Sequence, residues 1–322
     1  MYANNRANQG GNMIFHTISQ DILDWMQQYP EVKEESITDR LIYDSLKCRR
    51  FKAFPFSRIE EADIGADWEW WVIINRRREV YAYRFLVQAK RIKKGTRNCY
   101  SLFNYKKGAQ LQSLLENSRL KKAMPLYMVY TVEKQDFKRI YDSCESQKIR
   151  DILLSCKNCK NGAFLTPAYY VEELLMKAEE LMKAKVKSID VEDVLNKALK
   201  LSFLDCIMPV EDRHLYYLSR VWGHKNRYFE EMYELPGKIM STIARYLYKK
   251  WWCKDDDKQE DEDNRIPFCY SLEDIPVYVT KALSEEEKDY EQWYERELRY
   301  KLEGLAGVAI LDLRDSIVIP ED

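Results

Sequence analysis

Two stretches near the start of the chain carry apolar residues at helical spacing, and the first of them ends before Pro30, which cannot continue a helix. They are residues 13–29, with Ile14, Ile18, Ile22, Trp25 and Met26, and residues 34–46, with Ile37, Leu41, Ile42 and Leu46. Residues 108–120, with Leu111, Leu114 and Leu115, predict a third helix of the same kind.

Strand-like patterns lie between these helices. Residues 51–56 form a short apolar stretch, and residues 125–132 (PLYMVYTV) form a near-continuous apolar run of the length of a strand buried on both faces. Residues 65–90 are rich in Trp, Val, Ile, Tyr and Phe on both sides of a basic turn, and they predict two strands joined as a hairpin. The order of elements predicts an α/β protein with a mixed sheet flanked by helices.

The second half of the chain has mainly helical patterns, at residues 167–208, 228–252 and 285–303. Strand character returns at residues 307–319 (GVAILDLRDSIVI). We therefore predict an α/β core at 13–182, a large helical extension at 183–300, and a segment at 301–322 that returns to the core. Residues 1–12 are polar and predict a flexible tail.

Composition and charge restrict the partners and the cellular compartment that can be expected. The 322 residues are 46% hydrophobic and the net charge is −1, so a nucleic-acid surface would be a local patch rather than a global field. No apolar run approaches the roughly 20 residues that span a bilayer. The start of the chain lacks an apolar signal core, and the eight cysteines are then expected to be reduced thiols. The prediction is a cytoplasmic protein without a membrane partner.

The hairpin carries the candidate chemistry. If it turns near Arg77 and Arg78, Asp67 lies opposite positions 88 to 90 of the partner strand. An acid, an amide oxygen from Gln88 and the ammonium group of Lys90 then meet at one end of the sheet. The alternative is that these are ordinary polar groups at a strand end.

An acid, an amide oxygen and an ammonium group at one place are the layout of a metal-dependent phosphodiesterase site. Mg²⁺ (or Mn²⁺) prefers oxygen ligands and keeps several waters, so one or two carboxylates suffice. We predict Asp67 as the main ligand, with the side-chain oxygen of Gln88 and the carbonyl of Ala89 as neutral ligands. Glu35 of the second helix would assist, and Lys90 would orient the attacking water.

Three segments resemble the PD-(D/E)xK nuclease superfamily: EESITD at 34–39, GADWEWW at 65–71 and QAK at 88–90. The third is similar to the QxK variant of Mrr-type enzymes. The resemblance implies a restriction-endonuclease-like fold, a DNA substrate and a role in restriction or phage defence. It makes Glu35, Asp67, Gln88 and Lys90 the metal and catalytic set, with Glu69 as an accessory acid.

Basic residues at the turn and after the second strand are expected to form a rim near the proposed metal and to contact phosphates. The expected set is Arg76, Arg77, Arg78, Lys93, Lys94 and Arg97, although a solvated hairpin tip explains the three arginines equally well. By alternation, Trp68 and Trp70 lie opposite Asp67 and are expected in the core rather than stacked on bases.

Cys156 and Cys159 form a CxxC pair without the second ligand pair that a structural zinc site needs, so loop thiols are favoured over zinc. The helical extension is expected to recognise substrate, to form a homodimer or to bind a regulatory protein. Two functions follow: a Mg²⁺-dependent DNA endonuclease, or a nuclease-fold protein without activity that serves as a nucleic-acid-binding or assembly module.

Overall fold

The computed structural model describes residues 13–55, 64–76, 79–136, 160–180, 187–207, 239–244, 266–284 and 305–314, with single residues at 138, 147 and 150. Several predictions fall outside these residues: the tail at 1–12, the helix at 285–303, Arg77, Arg78, Cys156 and Cys159. Of the predicted helix at 228–252, only residues 239–244 are described.

The predicted helices of the first half are confirmed. The described helices are α1 (Ile14–Gln28), α2 (Glu34–Ser45), α3 (Tyr100–Phe103), α4 (Ala109–Leu120), α5 (Ala168–Glu180), α6 (Val191–Leu195), α7 (Phe203–Cys206) and α8 (Val277–Ser284), with 3₁₀ turns at Tyr105–Gly108 and Leu272–Asp274. Within the described part of the chain, no helix is both long and apolar enough to cross a membrane.

Within the described part of the chain, eight strands form one open mixed sheet. They are β1 (Phe51–Pro55), β2 (Trp68–Arg76), β3 (Glu79–Arg91), β4 (Met124–Tyr130), β5 (Ala163–Pro167), β6 (Leu199–Lys200), β7 (Cys269–Ser271) and β8 (Gly307–Leu313). The strand order is β1-β8-β2-β3-β4-β5-β6, and β7 pairs with β3 beside this path. β8–β2 and β3–β4 are parallel pairs, whereas the other pairs are antiparallel. The protein is therefore a mixed α/β protein.

Helices cover both faces of this sheet. Adjacent side chains of a strand point to opposite faces, and two tyrosines of β4 show which helices lie there. The ring of Tyr127 packs edge-on against Phe103 of α3, with centroids 5.1 Å apart. The hydroxyl of Tyr130 lies 3.0 Å from the hydroxyl of Thr38 on α2. The central strands are thus covered on both sides, which explains their continuous apolar sequences.

The predicted β2–β3 hairpin is confirmed. Arg76 pairs with Glu79, and the register runs back to Trp68 opposite Val87. One further step places Asp67 opposite Gln88, and the backbone N–H of Asp67 donates to the carbonyl of Val87 at 2.9 Å. The pairing thus brings Asp67 to the predicted position.

Trp68 and Trp70 are buried, each with 5% of its surface exposed, as the core interpretation predicts. Trp70 packs edge-on against Phe51 of β1, with ring centroids 5.8 Å apart. These rings contribute to the hydrophobic core and are not available to stack on bases.

Segments from later in the chain join this core. β6 lies at one edge of the sheet, β7 pairs with β3, and β8 lies between β1 and β2. The carboxylate of Asp205 in α7 accepts hydrogen bonds from the backbone of Phe15 and His16, at 3.0 and 2.7 Å, so it caps the start of α1. Parts of the segment predicted as a helical extension therefore pack on the sheet.

Gly65 allows the chain before β2 to approach α4 closely. Its φ is +75°, and a Cβ atom built on it would lie 2.5 Å from both the carbonyl oxygen of Gln110 and the backbone nitrogen of Leu114. Only glycine meets both requirements without strain. The residue therefore sets the spacing between the Asp67 segment and α4.

We expect Gly65→Ala to lower the free energy of unfolding by about 2–4 kcal/mol, because the left-handed backbone and the overpacking both cost free energy. Gly95→Ala is the matched control: Gly95 has φ +78° but open space around it, so only the conformational cost of about 1 kcal/mol applies. Urea unfolding measures both, and equal losses would contradict the role of close packing.

Candidate active site

The candidate site lies where β2 begins and β3 ends. The Oδ2 atom of Asp67 accepts hydrogen bonds from the Gln88 side-chain amide and from the backbone N–H of Ala89, both at 2.8 Å. The backbone carbonyl of Asp67 accepts from Ala306 at 2.5 Å. Asp67 is thus half-buried and held by β3 and by the residues that lead into β8.

A glutamine pair supports Asp67 from the α4 side. Gln88 is 3% exposed, and its Nε2 donates to Asp67 and also to the carbonyl of Ala89 at 3.1 Å. Its Oε1 accepts from Nε2 of Gln110, the second residue of α4, at 3.1 Å. The sequence gives no reason to choose between Gln110 and Gln112, since both follow the predicted start of the helix; the structure brings Gln110 to the site.

The acid that α2 contributes here is Glu34. Its Oε2 accepts the backbone N–H of Arg91 at 2.6 Å, at the end of β3. Glu35, the residue predicted for this position, is exposed. Residues three, four and seven positions apart share one face of a helix, so Glu34 shares the stripe of Ile37 and Leu41, which are fully buried. That stripe is the signal that identifies it.

Glu34 is electrostatically perturbed. Its pKa is raised to about 7, mainly because the carboxyl group is buried, and repulsion by Asp67 and, more weakly, by Glu35 adds to the rise. Attraction by Lys90 and the hydrogen bond from the backbone of Arg91 oppose the rise. Glu34, Asp67 and Lys90 therefore act on one another at this end of the sheet. Perturbed acids in such surroundings are typical of functional sites.

We expect the pKa of Glu34 to appear in the pH dependence of stability without metal. Its folded-state pKa of about 7 exceeds the ordinary value of 4.5, so its contribution is complete below pH 4.5 and is lost as pH rises through 7. Glu34→Gln keeps the neutral form and should exceed wild type above pH 7 by up to about 3 kcal/mol.

Urea unfolding in EDTA, repeated across this pH range, measures the difference. The control is Glu35→Gln, which should follow the wild-type profile closely, because Glu35 is exposed and has the smallest of the effects on the pKa of Glu34. Parallel profiles for wild type and Glu34→Gln would contradict the assignment of the raised pKa to Glu34.

Lys90 points its charge toward an aromatic ring. Lys90 is 8% exposed, and its Nζ lies 5.6 Å from the centroid of the Tyr105 ring. A cation over such a ring face is attracted by the negative potential of the π system. Its attraction also opposes the rise in the pKa of Glu34.

Glu69 belongs to a different group of residues. It is fully buried, and its carboxylate accepts from Trp71 Nε1 at 2.5 Å, from Arg84 Nη2 at 3.0 Å and from the hydroxyl of Tyr278. Alternation suggests that Glu69 is an accessory acid beside Asp67, but these contacts join it to Arg84 and to α8. Its contacts indicate a structural ion pair.

The predicted phosphate contacts separate into two groups. Arg76 ends β2, nine residues beyond Asp67, which corresponds to about 30 Å along an extended strand. Arg76 is therefore not part of a basic rim beside Asp67, contrary to the prediction, and Arg77 and Arg78 lie outside the described residues. Lys93, Lys94 and Arg97 are exposed and follow β3 at the same end as Asp67; Lys93 forms an exposed ion pair with Glu31 at 2.8 Å.

The donor set can be compared with the needs of magnesium. Asp67, Glu34 and the Ala89 carbonyl supply hard oxygen atoms, and Mg²⁺ takes one or two carboxylates plus waters. No three His, Cys, Asp or Glu side chains within the described residues form a metal cluster. Gln88 presents Nε2 to Asp67, because Gln110 holds its oxygen. The residues fit magnesium with few protein ligands, and Gln88 orients Asp67 instead of presenting an oxygen.

Fold and site thus define a mixed α/β protein with an acid–amide–lysine site at one end of its sheet. The chain belongs to a family of unknown function, DUF6615, whose model matches residues 12–316. No curated protein and no solved structure matches the chain.

Proposed function

We propose that the protein is a Mg²⁺-dependent endonuclease with a restriction-endonuclease-like core that hydrolyses DNA phosphodiester bonds. The observation that carries the proposal is the convergence of Asp67, Gln88, Glu34 and Lys90 at one strand end. The resemblance to QxK nucleases supports a DNA substrate and a role in restriction or phage defence.

Each residue has a task in this proposal. Asp67, Glu34 and the Ala89 carbonyl would hold the metal, which when bound polarises the phosphate and makes a water more acidic. Gln88, itself held by Gln110, keeps the carboxylate of Asp67 in place. Lys90 offsets the negative charge that develops on the phosphate and orients the attacking water.

Glu34 replaces Glu35 in this scheme. Because its pKa is about 7, metal and proton compete for the carboxylate below that pH. A rise in pH through 7 therefore favours metal binding. The same rise deprotonates Glu34 and lowers the free energy of unfolding of the metal-free protein. A cation relieves the repulsion between the carboxylates of Asp67 and Glu34.

One observation favours a second candidate function. The amide of Gln88 donates to Asp67 and so satisfies this carboxylate without a metal. A nuclease-fold protein that has lost catalysis and binds nucleic acid or another protein would have this arrangement.

The test is cleavage of duplex DNA, single-stranded DNA and RNA with Mg²⁺ or Mn²⁺, with EDTA as the control. The proposal expects cleavage of DNA that needs the metal and stops in EDTA. Absence of cleavage, together with no heat of Mn²⁺ binding by calorimetry, would contradict the proposal and favour the binding module.

A further inference from the structure

The turn that precedes α4 gathers positive charge around one aromatic ring. We call residues Tyr105–Gly108 the Tyr105 turn. Tyr105 is 50% exposed, and Lys106 and Lys107 are exposed beside it. Two ammonium groups lie over its ring: Nζ of Lys90 at 5.6 Å and Nζ of Lys106 at 5.5 Å from the centroid. One ring therefore holds two like charges, one from β3 and one from the turn.

The backbone of the turn is also in a conformation of raised free energy. Lys106 and Lys107 both adopt left-handed conformations, with φ of 50° and 60°, and only the residue after them is glycine, Gly108 with φ 81°. Side chains raise the free energy of this conformation. Left-handed residues of this kind occur at functional sites, and they also occur where helices end, as at Lys122 after α4.

Two contacts connect the Tyr105 turn with the candidate active site. The first is the contact of Lys90 with the Tyr105 ring. The second follows from the chain: α4 begins at Ala109, immediately after the turn, and Gln110 donates to Gln88. The exposed charges of the turn thus border the residues around Asp67.

We infer that the Tyr105 turn binds the phosphodiester backbone of a nucleic-acid strand beside the candidate active site. Lys106 contacts a phosphate, and Tyr105 is a positioning residue that keeps Lys90 and Lys106 together. Both ammonium groups are attracted by an anionic group that binds beside the ring, so a phosphate at this place is favoured by charge. The inference rests on the proposed function for the role of Lys90 and adds the residues that hold the strand.

The ligand is a phosphate group on a strand, because charges without base-reading groups favour contacts that are independent of sequence. Inorganic phosphate has the same charge chemistry, and a competition experiment distinguishes binding of free phosphate from binding of a strand. Binding of short fluorescein-labelled oligonucleotides, single- and double-stranded, is measured by anisotropy in EDTA, where the proposed cleavage is absent.

Lys106→Ala should weaken binding about five- to tenfold and reduce the slope of affinity against salt by roughly one phosphate contact. The matched control is Lys122→Ala. Lys122 is also an exposed lysine with a left-handed backbone, φ 48°, but it follows the far end of α4, about 18 Å along the helix. Equal losses for both variants, or unchanged binding by Lys106→Ala, would overturn the inference.

Further variants of Tyr105 and Lys106 test the same strand-binding role, so that the inference does not depend on Lys106→Ala alone. Tyr105→Phe keeps the ring and should bind as wild type, whereas Tyr105→Leu should lose affinity as Lys106→Ala does. Lys106→Gly relieves the left-handed backbone, so it should raise the melting temperature while it weakens binding. If Lys106 had only a structural role, melting temperature and affinity would change in the same direction. Wild-type affinity for Tyr105→Leu would contradict the positioning role of Tyr105.

The outcome is independent of cleavage. If wild type cuts DNA and Lys106→Ala binds and cuts equally well, the inference fails and the proposed function stands. If Lys106→Ala loses binding while wild type never cuts, the binding site stands and the proposed function fails. Competition by inorganic phosphate that is equally strong at every oligonucleotide length would identify a free-phosphate site and overturn the strand assignment.

Discussion

Asp67→Asn is expected to lower the rate of metal-dependent cleavage on the order of 1,000-fold, or about 4 kcal/mol in the activation barrier. The change removes the charge that a divalent cation needs and leaves the size of the side chain almost unchanged. The carboxylate accepts hydrogen bonds from Gln88 and Ala89, and the remaining amide oxygen of asparagine can still accept one of them. Initial rates with saturating Mg²⁺ and calorimetry with Mn²⁺ measure the two effects.

The control for this prediction is Asp21→Asn, which removes an exposed carboxylate of α1 and should leave the rate unchanged. The free energy of unfolding of Asp67→Asn should stay within about 1–2 kcal/mol of wild type, since only one charged acceptor is lost. Wild-type cleavage by Asp67→Asn, prepared in the same way, would show that Asp67 does not carry the activity.

The position of Asp67 follows from local sequence. The pairing of Arg76 with Glu79 fixes the register of both strands, because each step back from this pair adds one residue on each side. Counting back along the hairpin brings Asp67 opposite Gln88. Short-range pairing thus determines the centre of the site, and no contact from another part of the chain is needed to predict it.

The choice between Glu34 and Glu35 depends on finer information. Neighbouring residues of a helix point about 100° apart, so an error of one position moves the carboxylate from the site to solvent. Glu34 shares a stripe with Ile37 and Leu41, but the buried Ile42 also lies seven residues after Glu35, which makes the face ambiguous. The hydrogen bond from Arg91 at the end of β3 resolves it.

The surroundings of Glu69 could not be predicted from the hairpin alone. Alternation places Glu69 on the same face as Asp67, and the register places its neighbour Trp71 opposite Arg84. Tyr278, however, comes from α8, 209 residues later in the chain. A contact between residues so distant in sequence cannot be predicted from the local pattern. From the sequence alone, the acid of a buried ion pair therefore cannot be distinguished from an accessory catalytic acid.

Glu69→Ala is expected to lower the free energy of unfolding by about 3–5 kcal/mol, because it leaves Arg84 charged and buried without its carboxylate. Arg84 is 8% exposed, its Nη1 also donates to the carbonyl of Lys121 at 2.6 Å, and its guanidinium lies 5.3 Å from the centre of the Trp71 ring. Urea unfolding at neutral pH measures the loss.

Two controls separate this structural role from catalysis. Glu79→Ala removes an exposed acid from the same hairpin and should change the free energy of unfolding by about 0.5 kcal/mol or less. Glu69→Leu combined with Arg84→Met removes both charges and should recover part of the loss, since it removes the unpaired charge but leaves the donors of Trp71 and Tyr278 without their acceptor. If Glu69→Ala instead kept its stability but lost Mn²⁺ binding, Glu69 would be a metal ligand and the ion pair with Arg84 incidental.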